Sequence, residues 1–112
     1  MMIQLQNSFL IILAHLLKSP WDVVQVHYEN YQVAKNDRWE IFQAAYETSG
    51  HRSAMRLPQE ALDVLEELQK QIPEDQDEPW TWLEFSLESG GKYQFEYRYG
   101  MPPLIAEQLK YL

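Results

Sequence analysis

The sequence predicts an α+β domain: an N-terminal helix, an antiparallel sheet of four to five strands, a central helix between strand pairs, and a short C-terminal helix. Three patterns predict it. Apolar residues recur at helical spacing from Ile3 to Lys18 and again between Pro58 and Pro73. Segments of period-two alternation follow each of these stretches. A glycine pair, Gly90-Gly91, joins the last two alternating segments as a hairpin. With 112 residues, 46% of them hydrophobic and 13% aromatic, the chain has the material for one core, and residues 1–112 read as one domain.

The first helix carries Leu5, Phe9, Ile12, Leu13 and Leu16 on one stripe. Leu10, Ile11 and Leu17 widen it, which predicts cover on more than one side. Ser19-Pro20 ends it, because the residue before a proline is driven out of the helical region. The run Phe9–Leu17 has the apolarity of a secretory leader, but no Lys or Arg precedes it and no small-x-small cleavage pattern follows before Trp21. Its nine residues also fall far short of the ~20 needed to span a bilayer. A buried amphipathic helix is the expectation.

Trp21–Val33 reads as a strand, with Val24, Val26 and Tyr28 alternating against Val23, Gln25 and His27. Ala34–Asp37 is a polar turn, and Arg38–Glu47 is a second strand bearing Trp39, Ile41, Phe42 and Tyr46. Thr48-Ser49-Gly50 turns the chain again, into a short third strand near Ser53–Leu57. The second helix takes Pro58 as its first residue, buries Ala61, Leu65, Leu68 and Ile72 with Leu62 beside them, and pairs Glu66 with Lys70 on its outer face. Pro73 closes it, and Glu74–Pro79 is an acidic loop.

The hairpin Trp80–Tyr99 fixes its own register. Leu83, Phe85 and Leu87 must share a face with Tyr93, Phe95 and Tyr97. A two-residue loop at Gly90-Gly91 would set Phe85 against Glu96 and mix the faces. A three-residue loop, Ser89-Gly90-Gly91, sets Phe85 against Phe95, with a glycine at the left-handed position. The other face then opposes Trp82 to Arg98, Glu84 to Glu96 and Ser86 to Gln94. Trp82 with Arg98 suits a cation–π pair of roughly 0.5–1 kcal/mol. Glu84 against Glu96 is unfavourable by roughly a few tenths of a kcal/mol. A face that accepts this cost is a candidate interface for a basic partner, formed by Trp80, Trp82, Glu84, Glu96 and Arg98.

Charge is placed unevenly. Up to Pro58 acids and bases balance, and Glu107 cancels Lys110, so the net charge of −8 lies between Gln59 and Arg98. Glu66 and Glu67 on the second helix, and Asp75, Asp77 and Glu78 in the loop, therefore join the candidate binding residues. Such a block repels nucleic acid and steers basic proteins.

Catalytic and metal chemistry find little support. With no cysteine there is no disulfide framework, thiolate zinc site or thiol nucleophile, which fits a reducing cytoplasm. His15, His27 and His51 lie apart, without metal-ligand spacing. Glu74–Glu78 lacks the turn glycine and terminal Glu of a calcium loop. Gly90-Gly91 precedes no helix, so it is no phosphate cradle. Glu84 with Glu96 as an acid–base pair would need a pocket and a shifted pKa. Outside Arg52–Arg56 there is no basic patch interleaved with aromatics of the kind an RNA binder needs. The expectation is a protein-binding domain with no cofactor or metal, and no nucleic-acid or membrane partner. The alternatives are a structural or oligomerising subunit using the wide first helix, or a small enzyme using surface carboxylates.

Glu78-Pro79-Trp80-Thr81, Phe85-Ser86-Leu87-Glu88-Ser89, Gly91-Lys92-Tyr93 and Tyr97-Arg98-Tyr99 together resemble the C-terminal signature of the YezG-like antitoxin and immunity family of bacterial polymorphic-toxin systems. The front half agrees in order: a helix, the Pro20-Trp21 step, then a strand. Glu107–Leu112 is loosely similar to the family's closing segment. Arg38–Leu57 matches poorly, and Gly100-Met101-Pro102-Pro103 replaces an acidic continuation. The resemblance implies a cytoplasmic, non-enzymatic immunity protein that binds and neutralises a cognate toxin, often a nuclease.

Overall fold

The computed structural model describes residues 2–18 and 20–112. In chain order it contains α1 (Met2–Leu16), β1 (Val23–Ala34), β2 (Asp37–Thr48), β3 (His51–Ala54), α2 (Gln59–Gln69), β4 (Trp82–Glu88), β5 (Tyr93–Arg98) and α3 (Pro103–Leu109). The α+β architecture expected from the sequence is the one observed. Helix α1 ends at Leu16; Ser19, half of the expected Ser19-Pro20 stop, lies outside the described residues.

The strands form one sheet of order β3-β2-β1-β4-β5, antiparallel throughout. Tight turns make the β1–β2 and β2–β3 hairpins. Asn36, with φ of 65°, serves the first, and Ser49 and Gly50, with φ of 51° and 82°, serve the second. In the second turn both central residues have positive φ, as a type I′ hairpin that follows the strand twist requires. The first has one, and carries a register shift between Gln32 and Ala34. Strand β3 is at an edge and begins two residues before the stretch expected near Ser53–Leu57. Helix α2 then carries the chain across one face of the sheet, so β4 pairs with β1 on its other side.

Helices α1 and α2 cover that face. Phe9 and Leu13 of α1 and Ala61, Leu62, Leu65 and Leu68 of α2 pack on Val24, Val26, Tyr28, Leu83, Phe85 and Leu87. Phe9 meets Phe85 edge-on at 5.0 Å, and Phe85 lies 4.7 Å from Phe95. Such aromatic pairs each add about 0.5–1.5 kcal/mol beyond the area they bury.

Several local expectations change. Ile3 and Ile11 are 71% and 57% exposed, so α1 has a bare outer side where cover was expected. Pro58 is the N-cap of α2 and not its first helical residue. Helix α2 stops at Gln69, before Ile72 can join the buried stripe, and Ile72 is 53% exposed. Lys70 bonds Glu67 at 3.1 Å instead of Glu66, which lies against Glu40 on the sheet.

Trp80 is the largest correction. Expected on the outward face, it is fully buried. A bend at Thr81 breaks the alternation before β4 starts at Trp82. The Trp80 ring turns in beside Tyr28 and Tyr97, at 6.0 and 5.4 Å. Its Nε1–H donates to the Leu68 carbonyl at 3.0 Å, while Gln69 Nε2 donates to the Trp80 carbonyl at 3.0 Å. The indole thereby adds a second donor to a carbonyl at the end of α2 that also accepts from the Gln71 N–H at 3.0 Å. Trp80 holds α2 on the sheet and is unavailable to a partner.

Candidate functional site

On the side away from α1 and α2, the strands present a second set of side chains. Register lines them up in rows across the sheet. One row runs Ala54, Ala45, Gln25, Ser86, Gln94. The next runs Gln43, His27, Glu84, Glu96. A third runs Ile41, Glu29, Trp82, Arg98. The first row is uncharged, and it forms the floor of an open groove of about 1290 Å³. Arg52 and Arg56 lie at the β3 side of the groove, Glu84 and Glu96 at the β4–β5 side, and Leu104 of α3 at one end.

The hairpin register derived from the sequence is the observed one. Trp82 opposes Arg98, Glu84 opposes Glu96, and Ser86 opposes Gln94. Glu88 N–H donates to the Lys92 carbonyl at 2.8 Å, and Gly91 has φ of 99°. The Arg98 guanidinium lies over the Trp82 ring at 5.5 Å. Arg98 also donates to Glu96 Oε2 at 2.6 Å. His27 Nδ1 lies 3.0 Å from Glu84 Oε1. Each glutamate of the like-charged pair thus has a polar partner, Arg98 for Glu96 and His27, shared with Glu29, for Glu84. The indole Nε1 of Trp82 is buried without a hydrogen-bond partner.

His27 continues into a structure that the sequence reading missed. Its Nε2 lies 2.5 Å from Glu29 Oε2. Glu29 is fully buried, and its two carboxylate oxygens accept from the backbone N–H groups of Leu104 and Ile105, at 2.9 and 2.8 Å. Those are the first amides α3 can offer, because Pro102 is its N-cap and Pro103 opens the helix. A prolyl cap has no side-chain acceptor, so a carboxylate from a distant strand takes that role. Glu29 therefore pins α3 on the open face and closes one end of the groove. The available signal was His27 and Glu29 at i and i+2 on a single strand face, together with a Pro-Pro helix start that lacks a polar cap.

The remaining candidates do not join this face. Glu66 and Glu67 are on α2, on the opposite side of the sheet. Partial burial, then a hydrogen bond with the Glu40 carboxyl, pushes Glu66 above the usual carboxylate range. The Tyr28 hydroxyl donates to Glu40 Oε2 at 2.5 Å, and burial drives its pKa upward. Asp75, Asp77 and Glu78 are exposed in the loop before Trp80. Asp75 and Glu78 add to the burial that raises the Tyr99 hydroxyl. The acidic residues thus occupy three places, while Trp82, Glu84, Glu96 and Arg98 are brought together. Gln25, His27, Arg52 and Arg56 are groove residues that sequence reasoning did not assign.

Among the described residues, no group of three or more His, Asp or Glu side chains is set to hold a metal ion. No helix there is long and apolar enough to cross a membrane. A sheet covered by helices on one side, with a polar, aromatic-edged groove on the other, has the form of a small protein-binding domain. The chain belongs to the YezG-like immunity protein family, whose model matches residues 10–102. That match includes Arg38–Leu57, the stretch whose own residues resemble the family least. No curated protein matches the chain. Membership of an immunity family points to inhibition by binding and away from catalysis.

Proposed function

We propose that this chain binds a cognate toxin domain, a basic nuclease of a bacterial polymorphic-toxin system, and neutralises it in the cytoplasm through the open face of the sheet. The observation that carries this reading is the cluster of Trp82, Glu84, Glu96 and Arg98 on a face that neither α1 nor α2 covers. A half-buried tryptophan under an exposed arginine, beside carboxylates, has the composition of an interface centre, since Trp and Arg are enriched among residues that dominate binding energy. The net charge of −8 supports a basic partner, because an acidic inhibitor is steered toward the positive surface a nuclease uses for its substrate.

The test is co-expression and titration with the toxin domain encoded beside the chain. Wild type should restore growth and form a one-to-one complex. Glu84→Lys with Glu96→Lys should weaken that complex at least tenfold, about 1.4 kcal/mol, with the fold intact by circular dichroism. Unchanged affinity moves the interface to Glu66 and Glu67 or to the Asp75–Glu78 loop. Growth arrest despite co-expression overturns the reading. The bare side of α1, with Ile3 and Ile11 exposed, favours self-association as the second reading, and sedimentation of the chain alone over a range of concentrations tests it.

A further inference from the structure

The groove is not uniformly acidic, and its charge has a direction. Arg52 reaches from β3 across β2 to donate to Gln25 Oε1 at 2.5 Å, and its nearest carboxylate, Glu47, is 3.9 Å away. Arg56 has no carboxylate within ion-pair distance among the described residues. On the other side, Glu84 shares His27 with Glu29, and Glu96 has only Arg98. Three strand spacings separate β3 from β4, about 14 Å. Among the described residues no ion pair joins Arg52 or Arg56 to Glu84 or Glu96, so neither wall neutralises the other. The strand residues between them, Ala45, Gln25 and Ser86, carry no charge of their own, and Arg52 leans in over Gln25.

We propose that the groove receives one element of the toxin bearing acidic side chains on one edge and basic side chains on the other, with Arg52 and Arg56 taking the acids and Glu84 and Glu96 the bases. This rests on the toxin-binding reading and names the chemistry of the segment bound. A helix with side chains is about 10–12 Å across, less than the ~14 Å between the backbones of β3 and β4, so one helix along the groove presents one edge to each wall. The charge order permits one orientation, because the reverse sets acid against acid and base against base. Nucleic acid does not fit, since a phosphate chain drawn to Arg52 and Arg56 would run onto Glu84 and Glu96.

Titration calorimetry of the toxin domain against the full-length chain tests this. Arg52→Glu with Arg56→Glu should weaken binding at least tenfold, as should Glu84→Lys with Glu96→Lys, each with the wild-type melting temperature nearly retained. The arginine pair discriminates. An interface that only attracts a basic surface would bind more tightly when two bases become acids. Unchanged or tighter binding by Arg52→Glu/Arg56→Glu therefore overturns the directional groove while leaving toxin binding in place. No binding by the wild type overturns the toxin reading and this inference together. If the double reversal unfolds the chain, Arg52→Gln with Arg56→Gln replaces it, and a loss of less than threefold counts against the proposal.

Discussion

The two faces of the sheet are built from alternate residues of the same strands, yet they obey different rules. On the helix side, Val24, Val26 and Tyr28 of β1 are buried with Leu83, Phe85 and Leu87 of β4, and packing alone explains nearly every choice. On the open side, Gln25, His27 and Glu29 of β1 face Ser86, Glu84 and Trp82, and packing explains little. There the side chains are held by ion pairs and hydrogen bonds: Glu29 to α3, His27 between two carboxylates, and Arg98 between Glu96 and Trp82. A face selected only for stability would not set Glu84 opposite Glu96 and then supply each with a polar partner. The contrast separates the residues that make the fold from those free to select a partner.

That separation is broken most directly at Trp80, the one aromatic that moved from the open face to the helix side. Trp80→Ala should destabilise the chain by about 3–5 kcal/mol in denaturant unfolding, because it empties a buried site and removes the indole donor from the Leu68 carbonyl, which keeps only backbone donors. A loss below about 0.5 kcal/mol, the usual scale of surface substitutions, would return Trp80 to the interface.

Glu29 tests the open side in the same way. Glu29→Ala leaves the Leu104 and Ile105 amides unpaired at the start of α3 and should cost about 2–3 kcal/mol. The loss should be local first: hydrogen exchange at Leu104 and Ile105 should rise well before that of the β1 core amides. Uniform exchange across the chain would mean that α3 is held by Ile105 packing and not by the carboxylate.

Much of this arrangement was legible in the sequence, and what was not has a physical reason. Strand alternation and the requirement that Phe85 meet Phe95 determine the hairpin register, and with it the positions of Trp82, Glu84, Glu96 and Arg98. Alternation holds only while the chain stays extended, so it misplaced Trp80, where the bend at Thr81 intervenes. Helical spacing located α1 and α2, but spacing does not reveal which neighbour covers a stripe, and Ile11 and Ile72 proved bare. The Glu29 latch on α3 and the Arg52 bond to Gln25 join residues distant in sequence. Their proximity depends on the strand order β3-β2-β1-β4-β5, which local periodicity does not encode. For the same reason the acidic block between Gln59 and Arg98, contiguous in sequence, is divided between the two sides of the sheet.

The smallest expected effect bears on that division. Glu66 is on the helix side, where partial burial and the hydrogen bond with Glu40 raise its pKa from the ordinary value of 4.5, with Asp63 adding and Lys70 opposing. A carboxyl raised on folding adds stability that is full below its unfolded value and is lost as pH rises through the folded one. Glu66→Gln keeps the hydrogen bond to Glu40 without the charge, so it should retain at neutral pH what the wild type loses. The gain should be small, a few tenths of a kcal/mol, because solvent screens a group this near the surface. Melting curves should show the variant slightly more stable at pH 7 and equal to the wild type below about pH 4, where both side chains are neutral. A variant less stable at pH 7, or a gap that persists in acid, would mean that the Glu66 charge is favourable where it stands. The helix side would then hold carboxylates ready for a basic partner, as the open side does, and the distinction between the faces would rest on Trp82 and Arg98 alone.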